Sequence, residues 1–234
     1  MRILLTGGAG YIGSHVAELL GQRGYEPVIY DDLSTGHPWA VRGEFYKGDI
    51  LDLALFEEVL SRVKPAALMH FASRTAVGES MERPGLYFRV NLSGGINVFA
   101  AAAERGIPVI FSSSAAVYGA PERVPIPEDA PLRPASVYGE TKLALERVLK
   151  WLAKTKGLRY VSLRYFNAAG AAWGLGEVHE PETHLIPNII RVKLGLKDKL
   201  VVFGNDYPTP AGTAIRDYIH VVDLAEAHLA ALEY

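Results

Sequence analysis

The sequence predicts an α/β fold built on a doubly wound parallel sheet. Two observations carry that expectation. Short apolar runs alternate with longer stretches of helical period, and a glycine-rich turn joins the first run to the first such stretch. Alternation of this kind calls for parallel strands joined by right-handed crossovers, with helices on both faces. Strands are expected at residues 2–6, 27–30, 44–46, 67–70, 109–112 and 160–163. Helices are expected at 12–23, 53–63, 85–105 and 138–154. The last of these shows its period well: Leu143, Val148, Leu149 and Leu152 fall on neighbouring faces, with Lys and Glu elsewhere. Residues 119–135 hold five prolines and read as a stiff loop. Residues 167–184, rich in Ala and Gly with acidic residues, read as a mobile one. Beyond them a helix to Leu194, a short strand at 200–203 and a helix from Asp223 are expected. Asp223 followed by Glu226 has the pattern of a capping box.

Composition narrows the function classes. A chain of 234 residues with 49% hydrophobic and 21% charged residues can bury a sizeable core. Its net charge of −2 offers no general attraction to nucleic acid or to an acidic membrane. With no cysteine there is no disulfide, thiolate nucleophile or thiolate-bound metal, and no metal site is expected. The N-terminal run before Thr6 is too short for a signal peptide, and no apolar run approaches the roughly 20 residues of a bilayer span. A cytoplasmic protein is expected.

Gly7, Gly10 and Gly13 stand between the first strand and the first helix. A turn this tight brings backbone N–H groups and a helix N-terminus to a pyrophosphate, where a Cβ would obstruct, so a dinucleotide-binding, Rossmann-type sheet is expected. Asp31 and Asp32 end the second strand. A carboxylate there accepts from the adenosine ribose hydroxyls and repels a 2′-phosphate, which favours NAD over NADP. Asp49, after the third strand, either accepts from the adenine amino group or is an ordinary loop acid. Tyr138 and Lys142 lie four apart on a helix and so share a face. A phenol of pKa about 10 becomes a base near neutrality only if its anion gains roughly 4 kcal/mol, and a nearby ammonium acts in that direction. Taken alone the pair is unremarkable. Ser112, Ser113 and Ser114 close the fifth strand, where a hydroxyl can hold an oxygen whose proton is moving. All these groups follow successive strands, and ligands of open parallel sheets bind beyond the carboxyl ends of the strands.

The runs TGGAGYIGSH at 6–15, VGES at 77–80, SSSAAVY at 112–118, YGETK at 138–142, RYFN at 164–167, FGNDY at 203–207 and RDYIH at 216–220 resemble the UDP-galactose 4-epimerases. These are members of the extended short-chain dehydrogenase/reductase family. The resemblance implies that Tyr11, Ile12, Asp31, Asp32, Asp49, Ile50, Phe71, Ala72 and Phe166 contact NAD, and that Ser114, Tyr138 and Lys142 are the catalytic trio. Asn167, Leu185, Val201, Phe203 and Arg216 are implied as contacts to UDP. Arg216 suits a diphosphate, with a surface ion pair as the lesser alternative; Phe203 serves equally as a wall beside uracil or as core packing. Asn91 follows Val90 where the family has two asparagines and is left as the polar cofactor contact. His184 replaces an asparagine and either contacts the sugar or fills space.

The implied activity is interconversion of UDP-glucose and UDP-galactose through transient oxidation at sugar C4, in a homodimer built from the 85–105 and 138–154 helices. Related readings are a C4-epimerase of UDP-N-acetylhexosamines or UDP-pentoses, a nucleotide-sugar 4,6-dehydratase, and a non-catalytic NAD-sensing protein. Ala115 and Ala116 stand where a dehydratase needs an Asp-Glu pair. Family members continue past the position of Tyr234, so residues 1–166 are expected to form the NAD-binding domain and 167–234 a partial C-terminal substrate-binding lobe.

Overall fold

A computed structural model describes residues 1–180, 182–202 and 204–234. Strands β1 (Arg2–Thr6), β2 (Glu26–Asp31), β3 (Glu44–Lys47), β4 (Ala67–His70), β5 (Val109–Ser112) and β6 (Tyr160–Leu163) pair in parallel, in the spatial order β3-β2-β1-β4-β5-β6. All six expected strands are present, and β2 gains a residue at each end. The order reverses between β1 and β4, which opens a crevice at their carboxyl ends. Ile3, Leu4 and Leu5 are fully buried, as a central strand covered on both faces requires. Side chains alternate across it. Leu4 joins Val28, Phe56, Phe99 and Leu145 in one core, while Ile3 and Leu5 join Val16, Leu20, Ile29 and Leu229 in the other.

The first core is closed by α2 (Leu53–Val63), α5 (Gly94–Glu104) and α6 (Val137–Lys156), the second by α1 (Tyr11–Gln22) and α8 (Val221–Glu233). Asp52 caps α2 by accepting from the Leu55 amide at 3.0 Å, and Ser136 caps α6 by accepting from Gly139 at 3.1 Å.

The structure corrects four expectations. The helix expected at 85–105 is interrupted: α4 (Pro84–Tyr87) runs through a π-helical turn, Phe88–Ser93, into α5, and a short α3 (Val77–Glu82) precedes it. A π turn sets side chains out of α-helical phase, and here it turns Asn91 inward to full burial. Part of the expected loop at 167–184 is a strand, β7 (Asn167–Ala169), paired in parallel with β8 (Tyr218–His220). The expected strand at 200–203 does not form over Leu200–Val202, which stay exposed; a strand needs a partner edge, and β7 takes β8. Phe203 lies outside the described residues. Finally, α8 starts two residues early. His220 caps it, Nδ1 accepting from the Val222 amide at 3.2 Å, while Glu226 pairs with Arg23 at 2.5 Å instead of closing a capping box. Among the described residues, no helix is long and apolar enough to cross a membrane.

One ion pair fastens α6 to the sheet. Arg164, just past β6, grips Glu146 of α6 through Nε at 2.9 Å and a terminal nitrogen at 2.6 Å. Glu146 also accepts from Ser113 Oγ at 2.5 Å, and Arg164 donates to Tyr118 Oη at 2.9 Å. Replacing Arg164 by Ala strands the Glu146 carboxylate, whose side chain is only 10% exposed. The expected cost is about 2–3 kcal/mol, below that of a fully buried pair because the guanidinium keeps some solvent. Urea midpoints measure it, and a loss under about 0.5 kcal/mol would contradict this account.

Candidate functional site

The glycine turn is dictated by close approach. Gly7 has φ +72°, and a Cβ there would sit 2.4 Å from the Ala72 amide nitrogen. At Gly13 a Cβ would lie 2.4 Å from the Gly7 carbonyl oxygen. Bare backbone therefore lines the crevice between β1 and β4. Gly10 ends the turn as N-cap of α1, and among the described residues no side chain caps that helix, so its first N–H groups remain available to an anion. Asp31 braces the turn from the neighbouring strand, accepting from the Ala9 amide at 3.0 Å and the Leu33 amide at 2.8 Å. Burial pushes its carboxyl up, and those two amides work against the shift. Asp32 and Asp49 each accept from an amide two residues on, Ser34 and Leu51. A glycine cradle, an uncapped helix start and a carboxylate at the end of β2 fit the diphosphate and ribose of NAD.

Further along the same edge, α6 presents Tyr138 and Lys142. Lys142 is buried, 2% exposed, and donates from Nζ to the Ser112 carbonyl at 2.8 Å and to Ser73 Oγ at 3.2 Å. Its Nζ lies 5.7 Å from the centroid of the Tyr138 ring. Burial holds the Lys142 pKa at about 7, against an ordinary 10.5. Burial also raises the Tyr138 phenol, with the Ser114 hydroxyl beside it opposing the shift. Lys142 was expected to acidify the phenol; in the protein alone the phenol is instead held neutral. The ammonium is spent on Ser112 and Ser73, and a low-dielectric surrounding disfavours any lone charge. His70, bonded through Nδ1 to Thr6 Oγ1 at 2.6 Å, is likewise neutral, its pKa lowered to about 3 by burial and then by Lys142.

Several partners were not legible as site residues. Tyr165 Oη is hydrogen-bonded to Ser112 Oγ, and burial raises its pKa. The Tyr138 amide donates to Ser80 Oγ at 3.2 Å, which gives the VGES run a role in seating the start of α6. Asn91, expected as a polar cofactor contact, braces the loop after β4 against α6. Its amide is consumed by Arg74 N at 2.8 Å, Arg74 O at 3.0 Å and Thr141 Oγ1 at 3.2 Å, with no exposure left.

Other candidates scatter around this core. Tyr11 donates to the Gly170 carbonyl at 2.7 Å, and burial raises its pKa to about 12. Ile12, Phe71 and Ala72 are half-buried, Ile50 is buried and Phe166 is exposed. Asn167 Nδ2 donates to the Asp217 carbonyl at 2.8 Å. Leu185 and Val201 are exposed, and Arg216 is exposed with a bond only to its neighbour Ile215 among the described residues. His184 stands within ligating distance of Glu177 and His179, and its Nδ1 bonds Glu182 at 2.8 Å, a grouping made by the fold of the loop before α7 (Leu185–Lys193).

Comparison with known proteins agrees with this geometry. The profile of the NAD dependent epimerase/dehydratase family matches residues 3–234. The chain is 49% identical over 236 residues to the UDP-glucose 4-epimerase of Rhizobium meliloti (strain 1021), covering 99% of this chain and 72% of that one. It superposes on a crystal structure of UDP-glucose 4-epimerase from Brucella ovis in complex with NAD with a TM-score of 0.96 at 51% identity, covering 99% and 73% of the two chains. On the Bifidobacterium longum enzyme in complex with NAD+ and UDP the TM-score is 0.94 at 35% identity, covering 100% and 74%.

Two outcomes are expected. Gly13→Ala forces a Cβ against the Gly7 carbonyl, so dinucleotide affinity measured by calorimetry should fall at least about 10-fold, about 1.4 kcal/mol; unchanged affinity would remove the cradle from the argument. Lys142 has a folded pKa of about 7, depressed from 10.5. Its contribution to stability is thus complete above about pH 10.5 and is lost as pH falls to about 7. Relative to a Lys142→Met variant, the protein should gain up to about 1.4 kcal/mol for each pH unit climbed in that window, read from urea unfolding. Parallel pH curves for the two proteins would refute the shift.

Proposed function

The chain belongs to the NAD dependent epimerase/dehydratase family, and from that premise we propose that it interconverts UDP-glucose and UDP-galactose. The observation that carries this reading is the meeting of Tyr138, Lys142 and Ser114 beyond the same strand ends as the glycine cradle. NAD is the cofactor and, when bound, supplies reversible oxidation at C4 of the hexose.

The chain's own groups do the rest. Gly7, Gly10 and Gly13 with the start of α1 hold the diphosphate of NAD, and Asp31 and Asp32 its adenosine ribose. Ser114 holds the C4 oxygen of the sugar, and Tyr138 Oη takes its proton and later returns it. Because burial leaves the phenol protonated in the protein alone, Tyr138 must first lose that hydrogen to solvent, which positive charge brought into the cleft on binding would favour, with Lys142 positioning the ring. Both faces of the C4 carbon must be served, so the site grips UDP firmly and the hexose loosely. We assign the UDP contacts to Asn167, Leu185, Val201, Phe203 and Arg216. The β5 end argues against dehydration: Ala115–Val117 form a 3-10 turn that holds no carboxylate.

The same reading gives residues 1–166 to NAD and 167–234 to the start of the UDP-sugar lobe, although α8 returns to pack on α1. It also carries a cytoplasmic location and a homodimer. Met81, Phe88, Ile96 and Trp151 stand exposed along α3, the π turn, α5 and α6, an apolar surface suited to a second copy.

Tyr138→Phe removes the proton carrier and leaves the cradle alone. Turnover of UDP-galactose should fall by about 100-fold or more with NAD still bound, as followed by coupled assay and by cofactor content. Near-normal turnover would overturn the assignment.

A further inference from the structure

The loop between β7 and α7 (Leu185–Lys193) carries a constellation that the epimerase chemistry does not use. Ligating atoms of Glu177, His179 and His184 lie within 4.8 Å of one another. His179 Nδ1 touches Glu177 Oε1, and His184 Nδ1 lies 3.9 Å from that same oxygen. The two imidazole centroids are 5.1 Å apart, inclined at 58°. Glu182, whose side chain is 1% exposed, accepts at one oxygen from His184 Nδ1 at 2.8 Å and from the His184 amide at 2.7 Å.

We propose that Glu177, His179 and His184 bind a zinc ion. Two imidazoles and a carboxylate converging within the loop that leads into α7 form a known zinc donor set, with a fourth position for water. Magnesium and calcium prefer all-oxygen shells, and thiolate-loving metals have no cysteine to bind here. Glu182 fixes the His184 ring, as a carboxylate outside the ligand set does at many zinc centres.

The ion would fasten the loop where it meets the cofactor cleft. Val178, between two of the ligands, accepts through its carbonyl from His37 Nε2 at 3.0 Å. Gly176, Val178 and His179 line one cleft with Ala9, Gly10 and Tyr11 of the glycine turn. Zinc here acts as a structural clip and takes no part in moving hydrogen. It also removes His184 from the set of sugar contacts. The metal site stands on its own ligands, so it can fail without touching the epimerase reading.

The test uses the untagged 234-residue chain, stripped with EDTA and dialysed against zinc sulfate, with metal counted by mass spectrometry after desalting. About one zinc per chain is expected, with a thermal midpoint raised by about 5 °C at saturation. Glu177→Gln should weaken zinc binding about 10-fold, and the double variant His179→Ala, His184→Ala about 100-fold or more. His37→Ala, outside the ligand set, should keep it. Should the double variant not fold, Glu177→Gln against His37→Ala decides. Less than about 0.1 zinc per chain, equal binding by Glu177→Gln and the parent, or displacement of zinc by an equal concentration of magnesium would each overturn the site.

Discussion

The site depends on one buried amino group. Lys142 sits almost out of solvent, and a cation there is tolerable only because the Ser112 carbonyl and the Ser73 hydroxyl receive it. Those acceptors come from β5 and from the loop after β4, so the requirement to solvate one group locks α6 against two strand ends. The lock extends along the helix. Tyr138, Lys142 and Glu146 fall at successive i, i+4 positions and form a polar stripe on a helix otherwise packed through Leu145 and Leu149. Each member of the stripe meets the same edge: Tyr138 at Ser80 and Ser114, Lys142 at Ser112, Glu146 at Ser113 and Arg164. Three consecutive serines thus address three successive turns of one helix.

That arrangement explains what could be read from the chain. Parallel strands buried on both faces appear as short apolar runs, and the rule that ligands sit at strand carboxyl ends converts their order into a list of neighbours. Gly7, Gly13, Asp31, Ser112, Tyr138 and Lys142 were legible for that reason. Their tendencies are local, and the sheet alone brings them together. Asn91, Tyr165 and the Glu146–Arg164 pair were less so, because their roles rest on contacts between residues 17 to 53 apart in sequence.

Misread elements share a cause. The π turn at Phe88–Ser93 has an unbroken helical pattern, and only the need to bring Asn91 to Arg74 and Thr141 selects its irregular phase. Leu200–Val202 has the composition of a strand but no partner edge. Asp223 and Glu226 match a capping box, yet His220 reaches the helix start first and Arg23, across the interface of α1 and α8, claims Glu226. In each case a local preference was outbid by a distant neighbour.

The electrostatics of the assembled cluster point one way. Burial raises Tyr138 and Tyr165, lowers Lys142 to about 7 and lowers His70 to about 3, so each of these four groups is driven towards its neutral form. A protein that held a permanent phenolate here would need a permanent countercharge, and folding would carry the cost of desolvating both. Keeping the cluster neutral defers that cost until ligands arrive. It also leaves the phenolic hydrogen in place beside Ser114, ready to be given; to take a proton the oxygen must first lose that hydrogen, which burial alone opposes. A reaction that must run in both directions on one carbon needs an acid and a base from the same oxygen, and a phenol whose ionisation waits on bound positive charge serves as phenolate in one direction and as phenol in the other.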